Sequence, residues 1–124
     1  MPRVSVYISK LVIPPNGLYG DLKLLIASIP DIVARHLTSA DADGKLTSDD
    51  VLLRVYEEGK FDHFPEYFEV IIEAQRFLCR ATNLDERRKQ ILLDLCAAAP
   101  KHIYPCVWVI LHEGSWGESK HFLR

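Results

Sequence analysis

The chain has 124 residues, of which 48% are hydrophobic and 26% are charged, and its formal net charge is -2. These proportions are typical of one soluble globular domain that is long enough to bury a core. The small negative charge argues against a nucleic-acid-binding protein, because no excess of Lys and Arg is present to displace counterions from phosphates. No apolar run is long enough to span a membrane, and the first residues do not have the pattern of a signal peptide. The sequence therefore predicts a protein with neither nucleic-acid nor membrane partners.

The first residues predict a half-buried strand with a proline at its start. Val4, Val6 and Ile8 alternate with other residues, which is the period of a strand with one buried face. If Met1 is removed, Pro2 becomes a secondary amine that its ring holds at the end of this strand. An α-amino group titrates at about pH 8 and burial favours its neutral form, so Pro2 is a candidate general base near neutral pH. The alternative is an ordinary Met-Pro beginning without a catalytic role.

A long helix and a second strand are predicted next. Apolar residues fall on one helical stripe over residues 18–37, and the stripe keeps its phase across Pro30, so a helix with a kink or restart at the proline is expected. Residues 38–50 are a polar connection. Alternation from Val51 then predicts a strand that ends near Gly59.

The second half of the chain repeats this order of elements. Residues 67–75 alternate as a third strand, and Thr82 or Asn83 is expected to cap a second long helix that Pro100 ends. Residues 103–113 predict a fourth long strand, with a glycine-containing turn after it.

The order strand, helix, strand therefore occurs twice, which predicts a duplicated βαβ unit within one domain over residues 1–124. The repeat units span about 2–59 and 67–117, and their ends are alike at 55–59 and 110–114. Right-handed crossovers between parallel strands then give a two-layer α+β fold, in which both helices cover one face of a four-stranded mixed sheet.

The other face of this sheet is predicted to lack cover within the chain. Apolar residues such as Leu53, Ile71, Val107 and Val109 are assigned to it. A single layer of helices cannot bury both faces, so an oligomer that covers the second face is expected.

The cysteines and histidines do not predict a metal centre. Cys79, Cys96 and Cys106 are an odd number without CxxC spacing, and the five histidines also lack ligand spacing. Reduced core thiols in the cytoplasm are the expected state, without a disulfide framework or a zinc site.

One segment has partial calcium-loop character. Residues 39–50 match an EF-hand loop at the third, fifth and sixth positions and have an apolar residue at the eighth. Ser39 at the first position and Asp50 at the twelfth are poor matches, and the following segment alternates as a strand. A turn-rich loop is therefore predicted, with weak calcium binding as the alternative.

Taken together, these residues resemble the tautomerase superfamily, in particular its two-repeat members, macrophage migration inhibitory factor and 5-carboxymethyl-2-hydroxymuconate isomerase. The resemblance covers nearly the whole chain. It is carried by Met1-Pro2 at the start of a strand, by the two βαβ units and by the aromatic-glycine turn at 115–117. Gly44-Lys45 resembles the turn before the second strand of the migration factor, and residues 100–104 resemble the entry to its last long strand. Residues 51–55 are more similar to the muconate isomerase.

The resemblance implies a trimeric keto-enol tautomerase or isomerase that acts on a small 2-oxo or 2-hydroxy-dienoate carboxylic acid at the subunit boundary, without a cofactor. Pro2 is then the base, Lys45 and Arg54 hold the substrate carboxylate, Tyr104 donates to a carbonyl, and Trp116 forms an apolar wall. Each residue after Pro2 has a structural alternative: a solvated charge for Lys45 and Arg54, and packing for the two aromatic residues. Cys106 departs from the family, since the migration factor has a hydrogen-bonding amide at that position. A binding or signalling protein without catalysis is the alternative function.

Overall fold

A four-stranded mixed sheet forms the centre of the computed structural model, which describes residues 2–13, 20–39 and 45–113, except the side chains of Leu78 and Cys79. The strands are β1 (Arg3–Ile8), β2 (Leu52–Glu57), β3 (Phe68–Gln75) and β4 (Pro105–His112), in the sheet order β2-β1-β3-β4. β1 pairs with β2 in parallel and with β3 antiparallel, and β3 pairs with β4 in parallel. The mixed sheet is as predicted.

Three helices accompany the strands: α1 (Asp21–Leu37), the short α2 (Leu78–Thr82) and α3 (Leu84–Ala98). β1, α1 and β2 form the first βαβ unit, and β3, α3 and β4 form the second. This confirms the predicted α+β architecture, with the two long helices packed on one face of the sheet. The short helix α2 was not expected from the sequence. None of the described helices is long and apolar enough to cross a membrane.

Pro30 lies inside α1, and the helix continues past it as the apolar stripe predicted. A proline in a helix interior costs about 3 kcal/mol, whereas full burial of one large aliphatic side chain contributes about 1.5–3 kcal/mol. Six large aliphatic residues of α1 are buried, so their packing outweighs the cost of the proline; they are Leu22, Leu25, Ile29, Ile32, Val33 and Leu37.

Two arginines donate hydrogen bonds to backbone carbonyls at the C-terminal end of α1. Arg80 is 2% exposed; its Nε donates to the Leu37 carbonyl at 2.7 Å and its Nη1 to the Gln75 carbonyl at 2.8 Å. Arg87 Nη1 donates to the carbonyls of His36 and Thr38 at 2.8 and 2.9 Å. A helix end has unsatisfied carbonyls and partial negative charge, so both guanidinium groups are well placed there. Amphipathic periodicity alone places Arg87 in solvent, and it does not reveal this role.

The faces of the sheet differ from the prediction in part. Val4, Val6 and Ile8 of β1 and the corresponding residues of β3 are buried under the helices. Register and alternation place Leu53, Val107 and Val109 on this same face, where they pack against the core. Their assignment to the uncovered face was therefore wrong. Of the four residues predicted there, Ile71 alone lies on it.

The open face of the sheet, defined here as the face away from the helices, mixes aromatic and charged residues. Trp108 is 60% exposed on it, and Ile110 and Tyr56 are also exposed. Among the described residues, this face therefore carries apolar groups without cover, and apart from Ile71 they are not the residues predicted.

The positions of the cysteine side chains also differ from the prediction of core thiols. Cys96 is exposed on α3 and not in the core, while Cys106 is partly buried. Ile91 and Leu95 are the residues of α3 that are buried. Cys96 is one position further along the chain, and each helical position turns by about 100°, so its side chain leaves the core.

Candidate functional site

Pro2 lies at the N-terminal end of an inner strand. It is buried, and its carbonyl accepts a hydrogen bond of 3.0 Å from the backbone N–H of Leu52 at the start of β2. β1 continues from it with β2 on one side and β3 on the other. The strand therefore holds the proline in a fixed position.

Two arginines lie near this end of the sheet, and Lys45 lies in the connection that precedes β2. Arg54 is exposed on β2 opposite Ser5, and register places it on the open face together with Arg3, which neighbours Pro2 in the chain. Lys45 is exposed in the segment that leads from α1 to β2. Among the described residues, none of these three cations has an ion-pair partner.

Arg3 was not among the residues selected from the sequence. The sequence does contain a signal for its position, because Arg3 alternates with the buried Val4 just as Arg54 alternates with the core-facing Leu53. Period-two alternation puts both arginines on the open face once the two strands are paired.

Tyr104 lies at the opposite end of the sheet from Pro2. It precedes Pro105, which pairs with Phe68, and Phe68 in turn pairs with Ile8 at the far end of β1. A six-residue strand is about 20 Å long. One chain therefore does not bring Tyr104 and Pro2 into one site. Tyr104 is 67% exposed, with its ring centroid 6.3 Å from that of Tyr67.

Cys106 accompanies Tyr104 at this far end. Burial, followed by the carboxylates of Glu66 and Glu69, raises the pKa of the Cys106 thiol to about 11. A raised pKa favours the protonated thiol at neutral pH, whereas the thiolate is the nucleophilic form of cysteine.

Trp116 lies outside the described residues. β4 ends at His112, which pairs with Gln75 at the same end of the sheet as Pro2. Arg76 also lies at this end of the sheet, and it pairs with Glu113 at 2.9 Å. Lys10 follows β1 at the other end, so within one chain it is not a partner for Pro2.

The calcium-loop alternative gains no support from the described part of residues 39–50. The Asp50 carboxylate accepts hydrogen bonds from the backbone N–H and the hydroxyl of Thr47, at 2.8 and 3.2 Å. The segment after it is β2, where an EF-hand would have a helix. Within 2–13, 20–39 and 45–113, no three His, Cys, Asp or Glu side chains group as a metal site requires.

Comparison with solved structures shows the fold. The macrophage migration inhibitory factor-like protein from Entamoeba histolytica aligns over 94% of this chain and 94% of its own, with a TM-score of 0.56 at 12% sequence identity. The chain has the tautomerase fold. This confirms the fold that the sequence resemblance implied.

Two further solved structures align with this tautomerase fold less closely. A migration inhibitory factor from Leishmania major covers 94% of this chain and 93% of its own at 13% identity, with a TM-score of 0.45. A member of the cis-3-chloroacrylic acid dehalogenase family covers 94% and 81% at 16% identity, with a TM-score of 0.41. No family model matches the sequence, and no curated protein matches it.

Proposed function

We propose that this protein is a keto-enol tautomerase or isomerase that acts on a small 2-oxo or 2-hydroxy-dienoate carboxylic acid, with Pro2 as the general base once Met1 is removed. The observation that carries the proposal is the buried position of Pro2 at the start of an inner strand of the tautomerase fold, with Arg3 and Arg54 nearby and neither of them ion-paired to a described residue. The cytoplasm remains the proposed location.

Keto-enol tautomerisation requires a general base and a nearby positive charge. Moving a proton between carbon and oxygen of a 2-oxo acid passes through an enolate. A base that is neutral near pH 7 removes the proton, and fixed positive charge stabilises the developing oxyanion. In this proposal Pro2 moves the proton, and Arg54 and Lys45 hold the substrate carboxylate.

The position of Tyr104 makes the proposed site dependent on assembly. Because Tyr104 and Pro2 lie at opposite ends of one sheet, a site that uses both takes Tyr104 from a neighbouring subunit. We therefore propose a homotrimer with sites at its subunit boundaries, which also covers the exposed Trp108 on the open face. Trp116 remains the proposed apolar wall.

Mixing two defective variants tests this assembly. A chain with one residue added ahead of Pro2 and a Tyr104→Phe chain should each be impaired. After random exchange of subunits, about one quarter of the sites in a cyclic trimer should combine an intact Pro2 with an intact Tyr104, so activity should return. Activity is measured before and after mixing, and light scattering should give a mass three times the 14.2 kDa of one chain.

Arg54→Ala mixed with the same extended chain is the control, because Arg54 and Pro2 are proposed to act from one subunit and no recovery is expected. A stable monomer at micromolar concentration, or no recovery with Tyr104→Phe, would contradict the intersubunit site.

Substitution of the proposed anion-binding residues should reduce catalytic efficiency. Loss of a hydrogen bond to a charged group costs about 1.5–3 kcal/mol, which is roughly tenfold to a hundredfold in kcat/KM for Arg54→Ala or Lys45→Ala. Arg54→Lys should restore little if the arginine contact is bidentate. The measurement is the steady-state kinetics of each variant.

Lys89→Ala is the matched control, since Lys89 is exposed on α3 in the helix layer and should leave the kinetics unchanged. Unchanged kinetics in both the Arg54 and the Lys45 variants would place the anion site elsewhere, with Arg3 and Arg76 as the next candidates at this end of the sheet.

A further inference from the structure

A row of four residues crosses the end of the sheet that lies away from Pro2, and each of them lies immediately outside a strand. In sheet order they are Glu58 after β2, Ser9 after β1, Tyr67 before β3 and Tyr104 before β4. The Ser9 N–H donates to the Tyr67 carbonyl at 3.0 Å, and the Tyr67 ring lies 6.3 Å from the Tyr104 ring. The row therefore runs from Glu58 at one edge of the sheet to Tyr104 at the other.

The Glu58 carboxylate joins two separate connections of the chain at this end. Its Oε1 accepts hydrogen bonds from the Ser9 hydroxyl at 3.2 Å and the Lys10 N–H at 2.9 Å, and its Oε2 accepts the Phe64 N–H at 2.9 Å. The hydrogen bonds from Lys10 and Phe64 lower the pKa of Glu58 below its usual value, so the acceptor at neutral pH is a carboxylate. The segment after β1 is thereby fixed to the segment between β2 and β3.

Ser9 connects Glu58 to the two tyrosines. It is 1% exposed, and it uses its hydroxyl on Glu58 and its N–H on Tyr67, so its position fixes the backbone where β3 begins. Tyr104 is 67% exposed, and among the described residues Tyr67 supplies its ring contact. A catalytic group that is misplaced by about 1 Å can cost roughly a hundredfold in rate. The orientation of Tyr104 is therefore sensitive to the residues of this row.

We infer that Glu58 is a positioning residue for the proposed reaction: its carboxylate holds Ser9 and Tyr67 so that Tyr104 points at the substrate in the Pro2 site of a neighbouring subunit. The inference rests on the proposed function and its intersubunit site. Glu58 itself does not touch the substrate, since both of its oxygens accept hydrogen bonds within the chain. Glutamine cannot replace it fully, because its NH₂ group would face at least one of these donors.

A double-variant cycle with Tyr104→Phe tests the inference. Glu58→Gln alone should lower kcat several-fold, and by less than Tyr104→Phe does. Added to the Tyr104→Phe chain, Glu58→Gln should cause little further loss, because the hydroxyl that it positions is already missing. Glu57→Gln is the matched control, since it makes the same chemical change at an exposed position of β2 and should leave kcat unchanged.

Subunit exchange gives a second measurement of the same point. Glu58→Gln mixed with the chain extended ahead of Pro2 should recover activity, because the two defects then lie in different sites. Glu58→Gln mixed with Tyr104→Phe should not recover, because both variants damage the same end of the subunit. A packing defect that reached both ends of the subunit would give no recovery in either mixture and would overturn the inference.

The rings of Tyr67 and Tyr104 give a measurement that does not need activity. Nuclear Overhauser contacts between their ring protons should be present in the unmodified chain and in Glu57→Gln, and should weaken in Glu58→Gln. If the unmodified chain is inactive, the proposed function fails, and this ring contact alone decides whether Glu58 positions Tyr104.

In an active chain, unchanged kcat in Glu58→Gln would overturn the inference and leave the proposed function standing. Equal losses from Glu58→Gln with and without the Tyr104 hydroxyl would do the same. Ser9→Ala removes one donor to Glu58 and keeps the N–H bond to Tyr67, so it should give a smaller loss of the same kind. It replaces Glu58→Gln in these experiments if that variant does not fold.

Discussion

A residue added ahead of Pro2, or retention of Met1, is expected to abolish tautomerase activity and leave the fold intact. In either chain the proline nitrogen is part of an amide and has no usable lone pair. A positioned general base contributes about 10²- to 10⁴-fold to the rate, so a loss of at least this size is expected. The assay is the conversion of phenylpyruvate or a 2-hydroxy-dienoate between its enol and keto forms, followed by ultraviolet absorbance.

Pro2→Ala is the matched variant for this experiment. It keeps a terminal amine after removal of Met1 but loses the rigidity of the ring, so a partial loss of activity is expected. Mass spectrometry establishes the N-terminus of every preparation, and circular dichroism shows that each variant is folded. Full activity in a chain shown to retain Met1 would exclude Pro2 as the base and favour a binding protein without catalysis on the same fold.

Phe68→Ala is expected to be the most destabilising of the single substitutions considered. Phe68 is 0% exposed in β3, where it pairs with Ile8 on one side and Pro105 on the other. Replacing a buried phenylalanine with alanine removes apolar contacts and leaves a cavity, which costs about 3–5 kcal/mol. Since domains have a total stability of about 5–15 kcal/mol, this is a large fraction. The free energy of unfolding is measured by denaturant titration.

Phe61→Ala provides the comparison, because the same side chain is removed from a site that is 92% exposed. A change within about 0.5 kcal/mol is expected there. Both titrations are carried out at one protein concentration, since assembly also contributes to apparent stability. Equal effects of the two substitutions would contradict the packing of β3 against the helices.

Much of the secondary structure follows from local periodicity alone. Alternation in β1 and β3 predicts both strands, because buried apolar residues recur at every second position, Val4 and Val6 in β1 and Phe68 and Val70 in β3. The stripe of α1 likewise predicts a helix that continues through Pro30, since the apolar residues on both sides of the proline stay in phase. The same reasoning, together with the short matches around Lys45, led to the resemblance that the comparison of structures confirms at the level of the fold.

Periodicity alone does not decide which face of β4 packs against the helices. Val107 and Val109 alternate with Trp108 and Ile110, so both faces of this strand are apolar and alternation does not tell which of them meets the helices. Pairing with β3 decides it: Val107 aligns with the buried Val70, and Trp108 is left on the open face.

The sequence by itself thus determined the two βαβ units and Pro2 at the start of a strand. Tertiary structure decided which residues share a site. Periodicity carries no information about strand order, and the antiparallel pairing of β1 with β3 places Tyr104 far from Pro2. That same pairing brings Tyr7 beside Glu69. Likewise, Arg80 donates to the Leu37 carbonyl, which lies 43 positions earlier in the chain, and only the tertiary fold brings these two groups together.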